Sequence, residues 1–363
     1  MQSILAHAAI YLSLTVFAGL VLIDALGAYG GKQGIARPKK GYSPKALVMV
    51  PCKGADIGLE KNLASIKAQR YGDFDVVAIT DDRKDISISA IRSAGIRHMV
   101  SEGATRGCSG KVSAVGTAIT KNPGYEVYVI ADSDIRVTRD WLSTVVAPLS
   151  EDGVGLSTMY PYFMHVGGFW SEVKSVWGAV GEGLMKRESS RFGWGGSLAF
   201  RRSLLDGKSL RFLLGSRYSV SDDVCLTMIA KGKGLGIAYT DSAQPVVRTD
   251  DDASGFWEWA NRQTALSIMG NRNNLYIGMP FYVGECLCII SGIALSLLVS
   301  PAFVLLLSHT LRNAMLARKR SRQKGLAVIP ISFMLPFLYV CNLSAAASMK
   351  GIRWRGRTYA LPS

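Results

Sequence analysis

Three acidic pairs stand where predicted elements end or begin. Asp81 and Asp82 follow the run "FDVVAIT", Asp132 and Asp134 follow "YEVYVIA", and Asp222 and Asp223 open "DDVCLTMIAKGKG". A strand sends residues i and i+2 to the same side, so Asp132 and Asp134 are expected to converge at the mouth of their strand and offer oxygens to a divalent cation. Such a cation neutralises the charge that develops on a diphosphate leaving group, and a further carboxylate can take the proton of an attacking hydroxyl. Taken singly, each pair has a plainer use: a turn at Asp81 and Asp82, an Asx turn at Asp132 and Asp134, a helix cap at Asp222 and Asp223. Together, in this order, they suit an enzyme that uses a nucleotide sugar.

The scaffold that must position them is legible as an alternation. Residues 46–52, 74–80, 97–100 and 125–131 are short apolar runs, separated by stretches suited to helices at 58–70, 84–94 and 110–121. This predicts an α/β fold with a mostly parallel, doubly wound sheet and ligands at the strand C-termini. Further on the pattern loosens into a strand over 153–163, an amphipathic region over 166–192, a Gly-led strand over 194–202, a helix from Asp222, the strand "LGIAYT" and an aromatic helix over 254–269. Rival motifs are poorer. "TRGCSGKVS" departs from a P-loop at Thr105 and Val112, and the four histidines are dispersed. The six cysteines make no zinc set and are expected as buried thiols of a reducing compartment.

Residues 3–27, 279–311 and 326–349 are apolar runs of bilayer-crossing length, which is about 20 residues. The net charge of +15 is confined to their flanks: Lys32, Arg37, Lys39, Lys40 and Lys45; Arg312, Arg318, Lys319, Arg320, Arg322 and Lys324; Lys350, Arg353, Arg355 and Arg357. Without these fifteen, the remaining basic residues equal the 27 acids, so the rest of the chain is formally neutral. Charge so placed follows the positive-inside rule and attraction to anionic headgroups, whereas a nucleic-acid groove would need it on the globular part.

The expectation is an integral membrane protein with its catalytic domain facing the cytoplasm: anchor 1–28, basic linker 29–45, catalytic domain 46–275, C-terminal membrane region 276–350 and basic tail 351–363. The basic loop 312–324 then stays cytoplasmic only if 279–311 crosses twice, turning near Pro301. In that case the last run carries the tail to the far side unless it bends back near Pro336.

A collinear series of segments carries a family resemblance: "VPCKGADIGLEKNLASIKAQRYGDFDVVAITDD", "GKVSAVGTAI", "IADSDIRVTRDWL", "GWGGSLAFRRSLL", "SDDVCLTMI", "FWEWANRQ" and "IRWRGRTY". The chain resembles family 2/21 glycosyltransferases, and in particular the ceramide glucosyltransferases and their prokaryotic relatives. The resemblance implies a GT-A catalytic domain, Rossmann-like with a mostly parallel sheet, between N-terminal and C-terminal transmembrane helices. It implies that Asp81 contacts the nucleotide base, that Pro51 and Lys53 lie beside the nucleotide, and that Lys111 serves the donor side. Asp132 and Asp134 match the metal and donor motif, with Asp134 the direct ligand. Asp223 matches the catalytic base of an acidic pair in which Asp222 replaces the usual Glu. Arg262 matches the arginine of a (Q/R)xxRW motif that faces the diphosphate at the membrane interface. That motif departs at both ends here, where Trp259 and Gln263 stand.

The activity so implied is inverting transfer of a hexose, glucose by the resemblance, from a UDP-sugar to a lipid hydroxyl with Mg²⁺ or Mn²⁺. Its partners would be the lipid acceptor, the membrane and a nucleotide sugar, with no nucleic acid. A polyprenyl-phosphate or polysaccharide glycosyltransferase of family 2 is the alternative within enzymes, and a catalytically silent membrane scaffold the alternative outside them.

Overall fold

In a computed structural model of the chain, the described residues are 2–29, 41–101, 108–321 and 327–362. Lys32, Arg37, Lys39, Lys40, Arg322 and Lys324 of the basic flanks, and Thr105 of the rejected P-loop, lie outside them. The chain forms two compact units. One comprises Met1–Lys32, Gly167–Val180 and Asp250–Met349; the other comprises Gln33–Val166, Gly181–Thr249 and Lys350–Ser363.

After α1 (Gln2–Tyr29), the sheet unit alternates β1 (Ala46–Pro51), α2 (Leu59–Lys67), β2 (Phe74–Thr80), α3 (Ile88–Ser93), β3 (Arg97–Val100), α4 (Gly110–Lys121) and β4 (Val127–Ala131). Then come β5 (Ile135–Arg136), α5 (Trp141–Val146), β6 (Val154–Thr158) and β7 (Tyr162–His165). Helix α6 (Phe169–Met185) is divided between the units and leads to β8 (Ser197–Arg201), α7 (Gly207–Gly215), α8 (Asp222–Gly232), β9 (Gly236–Tyr239) and β10 (Val246–Thr249). Seven strands form one sheet in the order β3-β2-β1-β4-β8-β6-β9. All its pairings are parallel except those of β8, which runs antiparallel to β4 and β6. Strand β4 is buried throughout, as unbroken apolar strands are when helices cover both faces. Met49, Val77, Ile130 and Phe200 of the sheet meet Val115 of α4 and Leu226 of α8 in the core.

The strand expected over 153–163 is two strands. Pro161 lies between β6 and β7, and a residue without an N–H donor is poorly placed inside a ladder. β7 leaves the large sheet for a small one of order β5-β10-β7. Strands as short as β5 and β10 carry no period for a sequence to display.

The helical unit holds α1 and α9 (Ala253–Gly270), α10 (Asn273–Leu298), α11 (Ser308–Arg320) and α12 (Val328–Ser348). α10 and α12 are long and apolar enough to cross a bilayer. α10 ends before Pro301, but α12 runs unbroken past Pro336. Trp177 is packed between Trp259, at 4.9 Å between ring centroids, and Tyr339, at 5.2 Å. Its Nε1 donates to Asn342 Oδ1 at 3.0 Å, and Asn342 Nδ2 donates to Asn261 Oδ1 at 2.7 Å. Trp259 therefore takes part in an aromatic core, where the motif it interrupts would carry Gln or Arg. None of the six cysteines is in a disulfide; Cys52, Cys108, Cys225 and Cys288 are buried as expected, whereas Cys286 is half-buried. Cys341 is exposed, because α12 buries the stripe of Leu335, Leu338, Tyr339, Asn342 and Ala346, and residue 341 lies off it.

The tail is a hairpin of β11 (Gly351–Trp354) and β12 (Arg357–Ala360), and it belongs to the sheet unit. Its two-residue turn, Arg355-Gly356, has φ of 49° and 76°, the twist of a type I′ turn. Asn, Asp or Gly usually stands first in such a turn, so an arginine there is held by its contacts.

Candidate active site

Lys111, in the first turn of α4, is the hub of the acidic motifs. Its Nζ lies 2.7 Å from Asp132 and 3.4 Å from Asp222, and it donates to the Gly195 carbonyl at 3.1 Å. Ser109 caps this helix by accepting from Val112 N–H at 3.2 Å, which fixes where Lys111 departs. Gly195 must be glycine for the cluster to close, since a Cβ there would stand 2.8 Å from Asp222 Oδ2 and 2.9 Å from Lys111 Nζ. Burial by itself would depress the Lys111 ammonium, but Asp132, Asp222 and Asp223 outweigh it and raise its pKa. One ammonium cannot compensate three carboxylates, and burial pushes Asp222 up to about 7 against the pull of Lys111.

β4 stops at Ala131, so Asp132 and Asp134 lie in a turn rather than on alternate positions of a strand. Asp132 N–H donates to Gly196 O at 3.1 Å and Ile135 N–H closes back on Asp132 O at 3.4 Å. The carboxylates consequently differ in partners: Asp132 is held by Lys111, whereas Asp134 Oδ1 is buried with no hydrogen-bond partner. Burial, with Asp132 and Asp56 nearby, pushes Asp134 up to about 7. Ser133 between them donates to Asp56 Oδ2 at 2.5 Å, and its carbonyl accepts from Asn62 Nδ2 at 3.1 Å. Among the described residues no group of three His, Cys, Asp or Glu side chains could hold a metal. Two carboxylates with one oxygen left unbonded still fit a hard cation of the Mg²⁺ kind, which takes one or two protein oxygens and completes its shell with water and substrate phosphate.

Asp222 and Asp223 begin α8 and occupy different surroundings. Asp222 is buried, whereas Asp223 is half-buried. Asp223 accepts from Gly195 N–H at 3.3 Å, from Val224 N–H at 2.8 Å and from the Ser221 hydroxyl. Of the two, only Asp223 combines partial exposure with such support.

At the other end, Asp81 follows β2 and Lys53 follows Pro51, the last residue of β1. Asp81 Oδ2 lies 3.3 Å from Lys53 Nζ and 3.0 Å from Arg357 Nη1. Asp82 is the turn former of the pair, accepting from Lys84 N–H at 2.9 Å. The tail hairpin contributes three contacts here, none assigned a role from sequence: Arg357 to Asp81, Arg355 to Asp56, and the Tyr359 hydroxyl accepting from Gly110 N–H at 3.3 Å. Gly110 admits this approach, because a Cβ there would be 3.2 Å from Arg357 Nη1. Asp56 and Asp85 were also missed, Asp85 accepting from Gly54 N–H beside Lys53. The only signal for the hairpin was its place in the collinear series. Pro51, Lys53, Asp81, Lys111, Asp132, Asp134, Asp222 and Asp223 thus all belong to the sheet unit, and Arg262 belongs to α9 in the helical unit.

A mostly parallel sheet with carboxylates at the C-terminal ends of β2 and β4 is the arrangement of a GT-A fold. The profile of glycosyl transferase family 21 matches residues 14–363, and the chain belongs to that family. Among solved structures it is similar to a mannosyltransferase, PcManGT from Pyrobaculum calidifontis in complex with GDP-Man and Mn²⁺, at 19% identity and a TM-score of 0.60 over 93% of this chain and 96% of that one. Glucosyl-3-phosphoglycerate synthase from Mycobacterium tuberculosis, in complex with Mn²⁺, UDP and glucosyl-3-phosphoglycerate, aligns at 17% identity and a TM-score of 0.43 over 62% of this chain and 77% of that one. No curated protein matches the chain.

Proposed function

We propose that this chain is a membrane-bound, metal-dependent, inverting glycosyltransferase that moves a hexose from a nucleotide sugar to a lipid hydroxyl. UDP-glucose is the donor that the resemblance to ceramide glucosyltransferases favours, and the complex of PcManGT with GDP-Man and Mn²⁺ supports a nucleotide sugar and a divalent ion. The observation that carries this reading is the Lys111 hub, which draws the acids of β4 and α8 together while leaving Asp134 Oδ1 unbonded.

Asp134 and Asp132 would hold Mg²⁺ or Mn²⁺, whose charge would offset that of the leaving diphosphate. Asp81, steadied by Lys53 and Arg357, would accept from the base, and Lys111 would hold Asp132 in place beside the donor. Asp223 takes the acceptor hydroxyl's proton as its oxygen bonds to the anomeric carbon; the bond from that carbon to the diphosphate breaks, and the nucleoside diphosphate departs with the electron pair. Attack opposite the leaving group inverts the anomeric centre. Arg262 is assigned to the departing charge by the resemblance alone.

Membrane association rests on α10 and α12 together with the charge at the flanks of the apolar runs. Thr249 and Lys350 belong to the same unit, so the segment between them crosses a bilayer an even number of times or not at all, and the tail stays on the catalytic side. The cytoplasmic face is the side proposed for the catalytic unit. Incubating the purified full chain with UDP- and GDP-sugars, a total lipid extract and Mn²⁺, then weighing products by mass spectrometry, should yield a hexosylated lipid. Failure of every donor to label any lipid, with either metal, would overturn the proposal.

A further inference from the structure

Two cations of the sheet unit have no part in the chemistry above. Arg136 in β5 and Arg248 in β10 lie on neighbouring strands, with Arg136 opposite Val246, so that Arg248 is its diagonal neighbour on the same face. Like charges so placed repel. Arg136 Nε and Nη2 and Arg248 Nε are buried without a hydrogen-bond partner, and no ion pair to a described residue relieves either side chain. Both guanidinium groups reach towards one point: a Cβ on Gly58 would stand 3.4 Å from Arg136 Nη2 and 4.0 Å from Arg248 Nη1.

Gly58 is the N-cap of α2, a nine-residue helix whose N-terminus receives no side-chain cap. Two unpaired guanidinium groups at the positive end of a helix make a place for an anion, and planar bidentate donors suit phosphate in particular. The place adjoins the metal loop, because Asn62 of this same helix donates to Ser133 O.

We propose that Arg136, Arg248 and the N-terminus of α2 bind a phosphate group carried by the lipid acceptor. This rests on the reading of the chain as a lipid glycosyltransferase and narrows its acceptor to a phosphate-bearing lipid. The donor's diphosphate would be met by the cation proposed for Asp134 and Asp132, whereas the two arginines stand on the small sheet, whose strands β7 and β10 continue along the chain into α6 and α9. Holding the lipid by its phosphate leaves its hydroxyl for Asp223.

Inorganic phosphate is the probe, titrated calorimetrically into the full chain in detergent and into Arg136→Gln and Arg248→Gln. Each variant should bind phosphate about tenfold more weakly or worse, with UDP and Mn²⁺ binding unchanged. Neither melting temperature should fall, because each substitution removes an unpaired charge. In turnover the variants should raise KM for the lipid and not for the donor, Arg248→Lys should recover part of that loss, and phosphate should compete with lipid. Acceptor activity in a lipid extract should be retained on an anion exchanger; loss of it after phosphatase treatment identifies a phosphomonoester lipid, and survival a phosphodiester headgroup.

Unchanged phosphate binding in both variants, displacement of phosphate by UDP, or acceptor activity in the neutral lipid fraction would each refute the assignment. Phosphate binding that is lost in the variants of a chain that transfers no sugar would retain the anion site and remove only the enzymatic reading.

Discussion

The two units bury charge in opposite ways. In the helical unit, Glu285 on α10 pairs with His309 on α11, with Asn313 Nδ2 3.5 Å from the same carboxylate, and Lys174 pairs with Asp251 at 2.9 Å while lying 4.6 Å over the ring of Trp259. In the sheet unit, Asp134, Arg136, Glu151 and Arg248 each keep a buried atom without a hydrogen bond. A buried charge is costly unless paired, so a pair that satisfies itself is structural, and one left open can be completed by a ligand or water. The contrast separates the part of the molecule that holds itself together from the part arranged around something else.

The largest effect should come from the open side. Asp223→Asn keeps the size of the side chain and removes the proposed base, so transfer should fall roughly 10²–10⁴-fold while UDP binding persists. Steady-state kinetics beside a UDP titration checks this, and near-normal turnover would return the base to another residue. On the closed side, Glu285→Ala strands a buried imidazole and should cost about 3–5 kcal/mol, whereas Glu285→Leu with His309→Leu should be close to neutral. Thermal unfolding of the two proteins decides it; equal losses would mean that the pair answers to something outside itself. The smallest effect belongs to the hairpin. Arg357 is 44% exposed and touches Asp81 across a solvated edge, so Arg357→Ala should raise KM for the donor a few-fold with kcat little changed. A loss in kcat alone would detach the hairpin from the donor.

The sequence displayed the parts of this contrast unevenly. β1 and β4 were legible because a strand buried on both faces is an unbroken apolar run, and α8 because acids open it. Asp81, Asp132 and Asp223 were visible as acids at element ends. Convergence of Asp132 and Asp134 was expected from strand alternation, but β4 ends at Ala131, where the apolar run ends, and a turn separates their surroundings. Arg355, Arg357 and Asp56 were not legible as site residues, since a contact spanning 299 positions, as between Asp56 and Arg355, leaves no local pattern. Arg136 lay inside the quoted motif "IADSDIRVTRDWL", yet its lack of a partner is a property of three dimensions only.

Calorimetric titration of UDP, with and without Mn²⁺, into the full chain and into Asp134→Ala goes most directly to the claim that the open carboxylate awaits a cation. Mn²⁺ should strengthen UDP binding to the natural chain and leave Asp134→Ala at its metal-free affinity. Equal strengthening in both proteins would show that the ion is held elsewhere and that the unbonded oxygen of Asp134 has another purpose.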